Sequence, residues 1–193
     1  LKRTGLSILV IDKELEELTA LADRHYIIEK GEIVWSGTSA DLMADTRVHA
    51  VVGDLNDLLR PSPMGVPAVP AGTDVVFHLA AAVSGECEAD FDLGMRSNLD
   101  ATRALLEACR ALGSAPALVF ASSLAVFGGA PGQPLPDVIE DNTLPTPQTS
   151  YGTHKLMIEY MVADYTRKGY IDGRSARLMT VAVRPGKPNG AAS

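Results

Sequence analysis

A tyrosine and a lysine four residues apart are the clearest sign of chemistry in this sequence. Tyr151 and Lys155 stand at positions i and i+4 of the segment Tyr-Gly-Thr-His-Lys, so on a helix the two side chains share one face. A phenol normally keeps its proton up to about pH 10, but a neighbouring ammonium favours the phenolate and lowers that pKa. Tyr151 is therefore a candidate general acid or base.

The same spacing occurs a second time, at Tyr26 and Lys30. There the β-branched and apolar residues on either side of Gly31 predict a β-hairpin with the glycine at its turn. An isolated tyrosine–lysine pair of this kind is more often a surface pair than a catalytic one, so only the surrounding sequence distinguishes Tyr151 from Tyr26.

Two serines provide that context. The apolar run Ala117–Ala121 predicts a buried strand, and Ser122 and Ser123 follow it directly. Ligands bind at the carboxyl ends of parallel strands, so a hydroxyl at this point can orient a substrate oxygen toward Tyr151. The alternative is that both serines only cap the turn. The order of strand, serine pair, long loop and Tyr-x-x-x-Lys is more specific than any one part.

The elements that position these residues alternate between strands and helices. Predicted strands cover residues 7–12, 48–52, 75–79, 117–121 and 177–184, and predicted helices cover residues 14–24, 39–44, 91–112 and 151–168. Ser39 and Ser150 are the predicted N-caps of two of these helices. Apolar strands that alternate with helices predict an α/β fold with a parallel sheet covered by helices on both faces.

Composition excludes several classes of function. The 193 residues have a formal net charge of −7 and no basic stripe, so we expect no nucleic-acid partner. No apolar run approaches the roughly 18 residues of a membrane span. Cys87 and Cys109 form no CxxC pair, which predicts reduced, buried thiols, a cytoplasmic location and no metal site. The start at Leu1 and the end at Ser193 both read as cut, without a secretory signal.

The motifs together resemble the extended short-chain dehydrogenase/reductases, also called the NAD-dependent epimerase/dehydratase family. The resemblance begins at residue 51 and rests on His78-Leu-Ala-Ala81, Asn98 within Arg96–Thr102, Ser123, and Tyr151-x-x-x-Lys155. It implies a Rossmann-like sheet with NAD across the strand ends. The implied catalytic residues are Ser123, Tyr151 and Lys155. The implied cofactor-binding residues are Asp54, Leu55, Leu79, Ala80, Ala81, Asn98, Tyr151, Lys155 and Pro185.

A closer resemblance is to family members that oxidise a secondary alcohol of a sugar acid. It rests on the segments Val83–Asp92, Tyr165–Gly173 and Arg184–Ser193. Arg184 and Lys187 are cations at a predicted strand end, suited to a carboxylate or phosphate, although ordinary salt bridges would also explain them. The implied substrate-binding residues are Ser84, Ser123, Tyr151, Arg184 and Lys187. The resemblance also implies a small hydroxy-acid or sugar substrate, with a sugar-nucleotide epimerase or dehydratase as the alternative, and a homodimer through the helices of Asn98 and Tyr151.

The sequence also departs from this family. It contains no G-x-x-G-x-x-G or G-x-G-x-x-G fingerprint, and prolines fill much of residues 61–70, where the family has a helix. These departures predict a partial sheet that lacks the first βαβ unit, and impaired activity of the chain by itself.

Residues 1–47 resemble instead the C-terminal end of a branched-chain amino-acid ABC transporter ATPase, with Lys13 at its switch position. This segment has no Walker motif, so it cannot hydrolyse ATP by itself. We therefore predict two segments, 1–47 and 48–193, with a remnant of a transport ATPase as an alternative function.

Overall fold

A computed structural model of the chain describes residues 8–11, 25–29, 32–44, 54–58 and 69–179. The strands are β1 Ile8–Ile11, β2 His25–Glu29, β3 Glu32–Gly37, β4 Val75–His78, β5 Ala117–Ser123 and β6 Asp172–Leu178. The α-helices are α1 Ser39–Ala44, α2 Leu55–Leu58, α3 Ser84–Ala89, α4 Phe91–Gly94, α5 Ala101–Leu112 and α6 Ser150–Arg167.

Four strands form one parallel sheet in the order β1-β4-β5-β6. This order confirms the predicted Rossmann-like α/β architecture. The pairing of β1 with β4 also means that residues on both sides of the predicted boundary at residue 47 contribute to one sheet. Residues 45–53 lie outside the described ranges, so the boundary itself stays a prediction.

The predicted hairpin is present as the antiparallel pair β2–β3, in which Tyr26 lies opposite Ser36. Among the strands that the structure describes, β2 pairs with β3 alone, so Tyr26 belongs to a different sheet from the strand that ends at Ser123. Lys30 lies outside the described residues.

A helical run from Phe91 to Leu112 confirms the predicted helix over residues 91–112. Its middle, Met95–Asp100, is π-helical, which periodicity did not predict. Gly113 ends the run in a left-handed conformation with φ 68°, which glycine adopts without steric cost.

The hydrophobic core lies between the sheet and the long helices α5 and α6. It contains apolar side chains from β4, β5 and both helices, namely Val76, Leu105, Leu106, Cys109, Leu118, Phe120, Ile158 and Val162. Burial alternates along β4 and β5, so one face of each strand packs against this core. The core holds α6 against β5 and thereby positions the candidate site.

Three predicted boundaries were wrong. Thr149, and not Ser150, caps α6, because its hydroxyl accepts the Gly152 N–H at 3.0 Å. Thr38, and not Ser39, caps α1, because its hydroxyl accepts the Asp41 N–H at 3.1 Å. Strand β6 begins at Asp172, five residues before the prediction, because backbone pairing with β5 decides its extent although its first residues are polar. The predicted helix 14–24, the strand 48–52 and most of the proline cluster lie outside the described residues.

Candidate active site

The two serines at the end of β5 differ in their surroundings. Ser122 is 3% exposed, and its hydroxyl donates to Glu159 on α6 at 2.5 Å. Ser123 is half-buried at the last position of the strand, where its Oγ accepts the Ala125 N–H at 3.2 Å and begins a short 3₁₀ turn. Ser122 therefore has a structural partner in the protein, whereas Ser123 lies at the edge where parallel strands present ligands.

Glu159 also joins α6 to the neighbouring strand. Its carboxylate receives three hydrogen bonds from the guanidinium of Arg177 on β6, with the shortest N–O distance 2.7 Å. The Arg177 guanidinium lies 4.9 Å from the ring centroid of Phe127. The carboxylate thus links α6, β5 and β6 directly beside Ser123.

Lys155 reaches from α6 to the same strand end. Its ammonium donates to the carbonyl oxygen of Ala121 at 2.6 Å and lies 5.4 Å from the ring centroid of Tyr151. Lys155 is only 2% exposed, and this burial lowers its pKa to about 8, although Cys87 acts in the opposite direction. The tyrosine and the lysine are therefore neighbours, as their spacing predicted, and both lie beside the end of β5.

Gly152 allows α6 to approach this strand end closely. A Cβ atom at Gly152 would lie 2.1 Å from the carbonyl oxygen of Ala125, which is far inside contact distance. The sequence analysis missed this residue. A signal was present, because glycine is unfavourable in the first turn of a helix and so indicates a special packing requirement there.

We expect Gly152→Ala to lower the free energy of unfolding by about 1–3 kcal/mol, because the new methyl group meets backbone atoms that cannot move aside. Urea unfolding followed by circular dichroism measures this loss. Gly85→Ala is the matched control, since Gly85 also lies in a helix but has open space around its Cβ position. Equal stability of Gly152→Ala and the parent chain would contradict this account of Gly152.

A contact with α3 also fixes the first turn of α6. The backbone N–H of Ser150 donates to the carboxylate of Glu88, on α3, at 2.7 Å. Together with the Thr149 cap, this contact satisfies two of the N–H groups that a helix leaves unpaired at its start. Tyr151 therefore lies in a helix end that is fixed by its own cap and by Glu88, a residue distant in sequence.

Asn98 holds the chain that leaves β4. Its side chain accepts the Ala82 N–H at 2.8 Å and donates to the Ala82 carbonyl at 3.1 Å. The same amide lies 3.4 Å from the Cys87 sulfur and 3.5 Å from His154 Nδ1. Asn98, predicted as a cofactor-binding residue, is 1% exposed. In this structure it therefore fixes the backbone next to Ala81.

His78 is buried at the end of β4. Its Nε2 lies 2.8 Å from the Thr102 hydroxyl, while its Nδ1 is buried without a hydrogen-bond partner among the described residues. Burial first, and the charge of Lys155 second, lower the pKa of His78 to about 3. The imidazole is therefore neutral at physiological pH.

The other nine predicted site residues fall into three groups. Leu79, Ala80 and Ala81 follow β4, which pairs with β5 in parallel, so they leave the sheet at the same edge as Ser123. Ser84 begins α3. Leu55 begins α2, and Asp54 directly precedes it, where its carboxylate accepts the Asn56 N–H at 2.8 Å. The remaining three, Arg184, Pro185 and Lys187, lie outside the described residues.

The described residues contain no group of three or more histidine, cysteine or acidic side chains arranged to hold a metal ion. No helix in the same ranges is long and apolar enough to cross a membrane. Both cysteines are buried, as predicted. Burial raises the pKa of the Cys109 thiol to about 11.

Comparison with known proteins identifies the family. A sequence model described as the NAD dependent epimerase/dehydratase family matches residues 1–191. The chain belongs to this family. Because the match includes residues 1–47, the interpretation of that segment as part of an ABC transporter ATPase is not supported, and β1 pairs within the main sheet.

Two curated relatives share a name. The chain is 55% identical over 151 residues to D-erythronate dehydrogenase of Cupriavidus necator, covering 77% of this chain and 44% of that protein. It is 44% identical over 170 residues to D-erythronate dehydrogenase of Haemophilus influenzae, covering 79% of this chain and 53% of that protein. The chain thus spans about half the length of the curated relatives it matches.

A solved structure, the nucleoside-diphosphate-sugar epimerase from Agrobacterium tumefaciens, also matches. Its sequence is 37% identical, its TM-score is 0.62, and the match covers 98% of this chain and 57% of that protein. This likeness supports a fold shared with that protein.

Proposed function

We propose that this chain forms the cofactor-binding half of an NAD-dependent dehydrogenase that oxidises a secondary alcohol of a sugar acid similar to D-erythronate. One observation is central to the proposal. The buried ammonium of Lys155 donates to the Ala121 carbonyl near the carboxyl end of β5, two residues before Ser123, and lies 5.4 Å from the ring centroid of Tyr151.

The donors at this edge fit the nicotinamide end of the cofactor. Lys155 would hold the nicotinamide ribose, while Leu79, Ala80 and Ala81 lie at the neighbouring strand end for the phosphates and ribose. Asp54 and Leu55 would lie near the adenine, and Pro185 belongs to the same predicted set. Asn98 would act indirectly, by fixing the backbone at Ala82 next to Ala81. NAD, when bound, supplies the acceptor for the hydride from the substrate carbon.

The chain's own residues accept the proton of the substrate hydroxyl. Tyr151 takes the proton of the substrate hydroxyl, and the Lys155 ammonium beside it favours the phenolate that this step requires. Ser123 donates a hydrogen bond to the substrate oxygen and orients it toward the phenol. Ser122 cannot replace it, because its hydroxyl already donates to Glu159.

The names of the two curated relatives support a sugar acid as the substrate. Arg184 and Lys187 would bind its carboxylate, and Ser84, in the first turn of α3, would bind a hydroxyl group. A sugar-nucleotide epimerase remains the second candidate, because the Agrobacterium tumefaciens structure covers nearly the whole chain.

The first test is NAD binding by the chain itself. We expect a dissociation constant weaker than about 1 μM, which corresponds to about −8 kcal/mol, because no glycine fingerprint is present to approach the pyrophosphate. Calorimetric titration measures it. Tighter binding would show that another segment replaces the fingerprint and that our account of the missing glycines is wrong.

The second test uses a completed protein. In it, the corresponding part of the Cupriavidus necator relative replaces residues 1–47, and the C-terminal remainder of that relative is appended. We expect it to reduce NAD with D-erythronate, measured by NADH absorbance. Turnover of sugar nucleotides without turnover of any sugar acid would favour the epimerase instead. The C-terminal remainder alone, without residues 48–193, is the control.

A homodimer in the cytoplasm completes the proposal. The helices of the predicted interface expose apolar side chains: Phe91 on α4 is 60% exposed, and Met157 and Tyr160 on α6 are 46% and 64% exposed. Burial of such side chains against a second copy would stabilise the pair. Sedimentation velocity tests this, and a monomer at every concentration would contradict it.

A further inference from the structure

The charge of Lys155 has unusual surroundings. The residue is 2% exposed, and its ammonium makes one direct hydrogen bond, to the Ala121 carbonyl at 2.6 Å. Among the residues that the structure describes, no carboxylate forms an ion pair with Lys155. A buried ammonium without a paired charge or several acceptors loses its proton more readily, so a further favourable contact would help to keep Lys155 charged.

Two aromatic rings flank the ammonium. The Nζ atom lies 4.6 Å from the ring centroid of Phe120, which is 1% exposed, and 5.4 Å from that of Tyr151. The negative face of an aromatic ring attracts a cation within about 6 Å, and more strongly where water is excluded. The Phe120 contact is the shorter one and lies deeper in the core.

The ionisable groups around Lys155 do not supply a compensating anion. His78 on β4 is neutral, since burial lowers its pKa to about 3. Burial also raises the pKa of the Cys87 thiol on α3, so the thiolate charge that would raise the pKa of Lys155 forms only well above neutral pH. Glu159, one turn further along α6, is paired with Arg177. Besides the Ala121 carbonyl, the ring faces of Tyr151 and Phe120 therefore remain.

We infer that the ring face of Phe120 keeps Lys155 charged at neutral pH, and that Phe120 is thereby a positioning residue for Tyr151. The role in catalysis rests on the proposed function, whereas the effect of the ring on the two titrations does not. Without the ring, Lys155 would lose its proton at a lower pH, and Tyr151 would lose the cation that favours its phenolate.

Graded fluorination of Phe120 tests this inference on the chain as it exists. Replacing Phe120 by mono-, di- and trifluorophenylalanine weakens the negative ring face with little change of volume. NMR follows the titrations of Lys155 and Tyr151, assigned from the Lys155→Arg and Tyr151→Phe spectra. We expect the Lys155 midpoint to fall by about one pH unit in the trifluoro variant. The Tyr151 midpoint should rise over the same series.

The direction of the Lys155 change separates this role from a structural one. Loosened packing would admit water and raise the Lys155 midpoint toward that of exposed lysine, the opposite of our expectation. Phe127 is the matched control: its ring lies against Arg177, so its fluorination should leave both midpoints unchanged. Phe120→Leu removes the ring altogether and provides a second variant, in which we also expect a lower Lys155 midpoint.

An unchanged or raised Lys155 midpoint in a folded fluorinated protein would overturn the inference, and so would an equal change on fluorination of Phe127. A lowered Lys155 midpoint with an unmoved Tyr151 would overturn the positioning role. Neither readout requires turnover. A completed protein that fails to oxidise a sugar acid would therefore count against the proposed function alone.

Discussion

Tyr151→Phe in the completed protein is expected to lower kcat by about 10²–10⁴-fold, the range for loss of a positioned acid or base. The phenol is the group beside both the Lys155 ammonium and the end of β5. Phenylalanine keeps the ring and its packing but removes the oxygen that takes the proton. Steady-state oxidation of D-erythronate measures the loss, and NAD affinity measured in parallel shows that the cofactor site is intact.

Two further variants assign the roles. Tyr26, which belongs to the same sequence pattern but lies in the β2–β3 hairpin, is absent from the completed protein, so activity there would show that this second tyrosine is not required. Ser123→Ala should lower kcat with little change in NAD affinity, because its partner is the substrate oxygen. Lys155→Ala should lower both kcat and NAD affinity, because Lys155 would act on the Tyr151 phenol and on the nicotinamide ribose. Unchanged turnover in Tyr151→Phe would refute the catalytic assignment whatever the family resemblance.

The second large effect is a fall in the free energy of unfolding at acid pH, caused by His78. Because the folded-state pKa of His78 is lowered from 6.5 to about 3, folding favours its neutral form. Its contribution to stability is complete above about pH 6.5 and is lost as the pH falls toward 3. At about pH 4.5 the loss is about 3 kcal/mol, from 1.36 kcal/mol for each pH unit below the unfolded-state value.

Urea unfolding of the chain between about pH 4.5 and pH 7 measures this slope. His78→Gln retains a polar group that can reach Thr102 but does not titrate, so we expect the variant to be less stable at pH 7 and to lose most of the slope. His154→Gln is the matched control. Burial also lowers the pKa of His154, but the Glu88 carboxylate opposes that shift, so a smaller change of slope is expected. An unchanged slope in His78→Gln would mean that His78 does not titrate in this range.

The sequence predicted the parts of the site that are close together along the chain. The i, i+4 spacing was enough to place Tyr151 beside Lys155, and the apolar run before Ser122 was enough to place a strand end there. The same reasoning separated Tyr26 from Tyr151, since glycine and β-branched residues predict a hairpin from local preferences alone. The second resemblance, over residues 1–47, is not supported, because the family match covers that whole segment.

Contacts between distant segments could not be predicted in this way. Gly152 meets Ala125, Glu88 meets Ser150, and Ser122 donates to Glu159. The first residue of β6 was likewise not predictable, because pairing with β5 decides where the strand begins although its first residues are polar.

The sequence by itself determined the α/β class, the order of strand, serine pair and tyrosine–lysine helix, and the family to which these motifs point. Those features depend on periodicity and spacing, which act over a few residues. Only the tertiary structure decided which serine remains at the strand end, and how the charge of Lys155 is buried between Ala121 and two rings. Those outcomes depend on the distance between α6 and β5, which close packing of the core fixes.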